Sequence, residues 1–346
     1  MIELMIGILL SSLIMLGIVQ IFIANNQSFQ LQQANARTQE AGRIALEMLT
    51  REVRNAGYMG CTPAEADLAN NLDESDDEYD ENAHALNAKE PIKTRAAAVT
   101  DQKSDTDHLW LMAAKSPRDS SGDSIEMRVE DVPNSANFKV NNAEALEEGD
   151  IIAITDCVGG DVVQVTNVQG TNGVIVANTG NTQSPGNSYD QPHTNCSGNN
   201  CPSRLYNDGA QINQVKSYVF YIKETADGVS SLYRRDLTAG NEEELVRGIQ
   251  KMKIQYWQAG DWKETPSDVT DWTQVKAARI SILVRSPETN VVEDPMNYCF
   301  PGEPWTVAGD PKECKPSNQE TAADKGVYRV YTATASVRNR LMSGGQ

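Results

Sequence analysis

The chain has 346 residues, enough to bury a sizeable core as one large domain or two smaller ones. Its 48 acidic residues outnumber 30 basic ones, for a formal net charge of −18. The long-range field of such a head repels phosphate backbones, and Lys and Arg are scattered, so nucleic acid is excluded as a partner on charge.

The first element is apolar. Leu4 to Ala24 runs for 21 residues without a charge, interrupted only by Ser11, Ser12 and Gln20. As a helix it spans about 31 Å, enough to cross the hydrocarbon core of a bilayer. It has no basic n-region and no small-residue cleavage site, so it reads as a retained helix rather than a signal peptide. Nothing stops the helix there, because Asn25 to Arg54 continues in strong helix formers. Ala41, Ile44, Ala45, Met48 and Leu49 fall on an i, i+3, i+4, i+7, i+8 stripe, predicted to pack the second half of the helix against a head. Gly57 is the expected C-cap, which sets a helix over 1–57 and a head over 58–346.

A polar stretch from Asp67 to Glu90 carries Asp73, Glu74, Asp76, Asp77, Glu78, Asp80 and Glu81 and reads as a solvated loop. Calcium is the alternative, but the EF-hand spacing with its central glycine is missing, so no cofactor is expected. Short β-type runs follow between turn signals: 109–112, 124–129, 151–155, 162–168 and 174–177, then 215–223, 232–235, 252–257, 278–285 and 328–337. The fold class expected is α+β, a long helix on a mostly antiparallel β head. The Asn/Gly/Ser/Pro-rich stretch 178–207 reads as a long loop or as the border between two sheets.

All six cysteines lie outside the apolar segment, which suits an oxidising compartment. Cys196 and Cys201 bracket a small polar loop and Cys299 and Cys314 a Pro/Gly-rich excursion, so these pair locally and Cys61 pairs with Cys157. No C-x₂-C occurs, which argues against a zinc site. Nor is there a G-x-S-x-G elbow, an H-E-x-x-H or a phosphate-cradling glycine loop, so the chain is read as no enzyme. Trp257, Trp262, Trp272 and Trp305, with Tyr256 and Tyr298, are either core residues or an adhesive, ligand-binding surface.

The opening Met1-Ile2-Glu3-Leu4-Met5-Ile6-Gly7, one glutamate at the head of an apolar helix, resembles the start of mature type IV pilins and type II secretion pseudopilins. A charge there is costly and needs a reason. The family's basic leader and terminal Phe are not in the sequence, so the chain is expected to begin two residues inside the mature protein. Glu52 to Tyr58, Asp156-Cys157, Ala277 to Ser286 and Tyr331 to Arg340 are similar to the PilW-type minor pilins, relatives of the J-type pseudopilins. Arg338 and Arg340 are read as solvated strand-end charges.

The resemblance implies a subunit held in the inner membrane with a periplasmic head, then extracted into an extracellular filament. Its implied partners are major and minor pilins, the inner-membrane assembly machinery, the membrane before assembly and a tip adhesin. A priming or tip role supporting pilus biogenesis, motility or adhesion is implied, with a type II secretion pseudopilin or a repeating filament subunit as alternatives. In the filament Glu3 would pair with the N-terminal ammonium of a neighbour, which offsets its desolvation and specifies register.

Overall fold

A computed structural model describes residues 2–63, 68–80, 84, 90–93, 99–131, 135–180, 183–194, 200–225, 228–301 and 319–341. The first element, α1 (Ile2–Asn55), is a single helix of 54 residues, about 80 Å long. No proline interrupts it, and it ends where Gly57 takes a φ of 74°. The exit is stitched to the head: the Gly57 N–H donates to the Met112 carbonyl (2.8 Å) and the Ala114 N–H to the Tyr58 carbonyl (2.7 Å).

The strands follow in chain order: β1 (Leu68–Asn70), β2 (Ile92–Lys93), β3 (Leu109–Lys115), β4 (Met127–Arg128), β5 (Asn137–Lys139), β6 (Ile151–Thr155), β7 (Gly160–Gln164), β8 (Asn167–Gln169) and β9 (Val174–Val176). The second group comprises β10 (Gln211–Glu224), β11 (Ser230–Asp236), β12 (Glu242–Arg247), β13 (Ile249–Gln258), β14 (Asp261–Lys263), β15 (Val275–Arg285), β16 (Asn297–Tyr298), β17 (Glu320–Thr321) and β18 (Tyr328–Ser336). A short helix, α2 (Arg338–Leu341), comes last.

One nine-stranded sheet runs β1-β7-β6-β10-β11-β12, with β3 and β4 also on β10 and β2 on β3. Its pairs are antiparallel except β1 with β7. A second, antiparallel sheet runs β14-β13-β15-β18. Smaller sheets, β5-β9-β8 and β16-β17, cover the flanks.

Of the two readings of the stretch 178–207, the border between two sheets is not what the strand pairing gives. Strand β10 lies after it yet pairs with β3 and β6 before it. The passage between the main sheets is at Gly248, between β12 and β13. Its φ is +90°, its N–H donates to the Ser230 carbonyl (2.9 Å) and its carbonyl accepts from the Arg285 N–H (2.8 Å). A Cβ at this position would lie 2.7 Å from the Arg285 oxygen, so the corner needs glycine.

The largest core lies at that corner, beneath α1. Ala45, Leu49, Val53 and Ala56 pack with Leu109, Leu111, Phe220 and Ile222 of the first sheet and with Ile254, Ile280, Ile282 and Ala335 of the second. A separate core, containing Phe138, Ile152, Ile154, Val163, Ile175 and Tyr206, joins the first sheet to β5-β9-β8. Within the head, the buried Asp161 carboxylate is fully engaged. It accepts from the Asn71 amide (2.7 Å), the Ser203 N–H and hydroxyl (2.9 and 3.0 Å) and the Tyr206 hydroxyl.

Candidate assembly helix and its junction with the head

The apolar half of α1 stands free of the head. Among its described side chains Ile2, Met5, Leu9, Leu13, Leu16 and Phe22 are all exposed, and the helix is long and apolar enough to cross a membrane. Glu3 lies exposed in its first turn, with no further charge before Arg37. The serine hydroxyls are satisfied within the helix: Ser11 donates to the Ile8 carbonyl (2.9 Å) and Ser12 to the Leu9 carbonyl (2.8 Å). That arrangement suits a surface facing lipid or apolar helices, where an unsatisfied donor would be costly.

Burial begins at Ala34 and continues through Thr38, Gly42, Ala45, Leu49, Val53 and Ala56. At 100° per residue, this arc is rotated by roughly 60° from the stripe read in the sequence. Ala45 and Leu49 lie at its centre, and Ala41 and Met48 are half-buried at its edge. Ile44 is 39% exposed, a correction to its expected place in the packing. Thr38 and Gly42 escape a search for apolar periodicity, yet they are buried because they are small and let a sheet approach. A Cβ on Gly42 would stand 2.5 Å from Cδ2 of Tyr331 on β18, so that ring lies directly on the helix backbone. The signal available in the sequence was the spacing of small residues Ala34, Thr38, Gly42 and Ala45.

Polar contacts hold the middle of the helix. The Arg329 guanidinium donates twice to Asn35 Oδ1 (3.1 and 2.8 Å), and Arg37 pairs with Glu288 at 2.6 Å. Beyond the exit a disulfide joins Cys61 to Cys157, across 96 residues of chain, and so fastens the helix end to the β6–β7 turn. Cys201 and Cys299 are also disulfide-bonded. Their expected partners, Cys196 and Cys314, lie outside the described residues, as does Trp305.

The other aromatics are divided between the faces of the second sheet. Tyr256 is fully buried and meets Trp272 edge-on at 4.9 Å. On the opposite face Trp257 meets Trp262 edge-on at 5.2 Å, with the Arg279 guanidinium 4.1 Å above Trp262. These three indoles are half-buried, and Tyr298 stacks on Tyr328. In the acidic loop, Asp73 accepts from the Ser75 N–H and Asp76 from the Glu78 N–H. Among the described residues no group of three or more His, Cys, Asp or Glu is placed to hold a metal ion.

Residues 219–339 match the family model described as Type IV Pilus-assembly protein W. That region runs from the second half of β10 through β18 into α2, so it includes the Gly248 corner and the sheet that carries α1. Among solved structures, a type IV-like pilin from Thermus thermophilus is 13% identical to the chain, over 36% of this chain and 67% of its own, with a TM-score of 0.23. No curated protein matches the chain. The part of the chain that is similar to this family is thus the sheet that carries the Glu3-headed apolar helix.

Proposed function

We propose that the chain is a minor structural subunit of a type IV pilus that acts in a priming or tip complex. The observation that supports this reading is the division of α1: its second half is locked into the head while its apolar half projects uncovered. In the membrane that half anchors the subunit with the head in the periplasm. In the extracellular filament it packs among the helices of other pilins, where Glu3 meets a neighbour's N-terminal ammonium. A carboxylate left unpaired in that apolar bundle would cost several kcal/mol, so pairing selects the axial register. The assembly machinery and other pilins are the partners, and the role is structural rather than catalytic.

The test is Glu3→Ala in cells, with the chain tagged in its head. Membrane insertion and head folding should match the parent, while the amount recovered in sheared filaments falls sharply. Gold labelling of parent filaments should fall at their ends. Equal recovery of mutant and parent would refute the pairing mechanism, and label along the whole length would make the chain a repeating subunit.

A further inference from the structure

At the end of α1 opposite Glu3, the last helical turn, the exit segment, the end of β3 and the start of α2 enclose a cleft of about 800 Å³. Three cations line it, Arg54, Lys115 and Arg338, and no carboxylate does among the described residues. This is an unusual concentration on a chain with 48 acidic and 30 basic residues. The Lys115 ammonium is 3.6 Å from Glu52 and 4.4 Å above the Tyr218 ring, so its charge is partly answered. Arg54 and Arg338 are exposed and have no ion pair among the described residues. Between these charges the surface is apolar, with Ala113, Ala114 and Pro63 beside Tyr58, which is 46% exposed.

We propose that this cleft is a docking site for an acidic peptide segment of a partner protein. Carboxylates of the segment pair with the guanidinium forks of Arg54 and Arg338, a geometry that suits two parallel N–H···O bonds, and an apolar side chain sits over Ala113 and Ala114. Desolvation of the rim charges is offset by pairing, and the apolar floor adds contact area beside the buried Thr62 hydroxyl, which has no hydrogen-bond partner among the described residues. A lipid headgroup is the weaker match. The cleft lies about 80 Å along α1 from Glu3 and so faces away from the bilayer, an orientation that rests on the membrane reading of the apolar half. Nucleic acid is opposed by the net charge of −18.

The test uses the full chain in non-ionic detergent micelles and a fluorescein-labelled, end-capped pentapeptide of four glutamates around a central leucine. A matched peptide carries glutamine in place of each glutamate. Anisotropy should show binding of the glutamate peptide, weakened about tenfold or more by the glutamine exchange and by Arg54→Glu with Arg338→Glu, as loss of charge-assisted contacts requires. Lys139→Glu, on the exposed face of β5, should leave binding unchanged. Arg54→Gln with Arg338→Gln serves if charge reversal perturbs folding. No binding, equal affinity for the glutamine peptide, or indifference to both double variants would overturn the proposal. So would sedimentation showing a dimer that the double variants dissolve, because a second copy would then be the occupant. The assay requires no filament, so its failure is separable from failure of Glu3→Ala to lose filament recovery.

Discussion

Gly42→Ala sets two known effects against each other at one contact. In a helix interior alanine is favoured over glycine by about 1 kcal/mol. Here the new Cβ would stand 2.5 Å from Tyr331 Cδ2, 2.6 Å from Cε2 and 2.9 Å from Cγ, well inside normal van der Waals contact. Tyr331 is held on β18 in register with Ile282 and packs against the main core, so the ring cannot simply swing clear. Overpacking of this kind costs about 1–3 kcal/mol. The substitution should therefore be neutral to destabilising by up to about 2 kcal/mol in the parent, yet stabilising by about 1 kcal/mol in a Tyr331→Ala background. Urea denaturation of the four proteins of this double-mutant cycle, in detergent micelles, should give a coupling of about 1–3 kcal/mol. If Gly42→Ala stabilises both backgrounds equally, the close approach of ring and helix is not what requires glycine.

Leu49→Asp would place an unpaired carboxylate in the core under α1, at a cost of several kcal/mol, and should yield an unfolded or degraded head, while exposed Arg43→Asp should melt as the parent does. Replacing Cys61 and Cys157 by serine removes a closure of 96 residues and should cost about 4–5 kcal/mol by the chain-entropy relation, read as a lower denaturation midpoint. Burial pushes the Glu242 carboxyl up, but hydrogen bonds from Lys223, Tyr221 and Arg235 outweigh this and hold it at about 2. Its contribution is thus complete above the ordinary carboxylate value of about 4.5 and lost as pH falls towards 2. Because this network lies at the surface the contribution is under about 1 kcal/mol, and Glu242→Gln should flatten the stability profile only in that acid window.

The long helix, its end near Gly57 and the strongly β-branched strands were legible because each depends on local pattern. The run Ile151–Thr155 is a strand with the same limits in sequence and structure, and β10, β13, β15 and β18 fall within a few residues of their expected places. Strand β12 was not legible. Glu242, Glu243 and Glu244 are exposed at the sheet edge, where charge guards against further pairing, so the segment lacks the apolar alternation that marks a half-buried strand. The same limit hid the Gly248 corner, since one glycine between two strands looks like an ordinary turn until its two hydrogen bonds are seen to lie in different sheets.

The apolar helix and the distal cleft differ in legibility for a physical reason. An apolar run headed by Glu3 is a one-dimensional signal, because every residue that defines the surface is consecutive. The face that meets the head is set by shape as well as hydrophobicity: Thr38 and Gly42 are buried because a tyrosine ring fits above them, and Ile44 is left in solvent because the sheet approaches from the other side. Arg54, Lys115 and Arg338 go further still, being brought together only when α1, β3 and α2 converge. Taken singly each is an unremarkable surface cation on an acidic chain. Their common cleft acquires chemical meaning from the absence of carboxylates among its described lining residues, a property of the folded surface that no window of sequence contains.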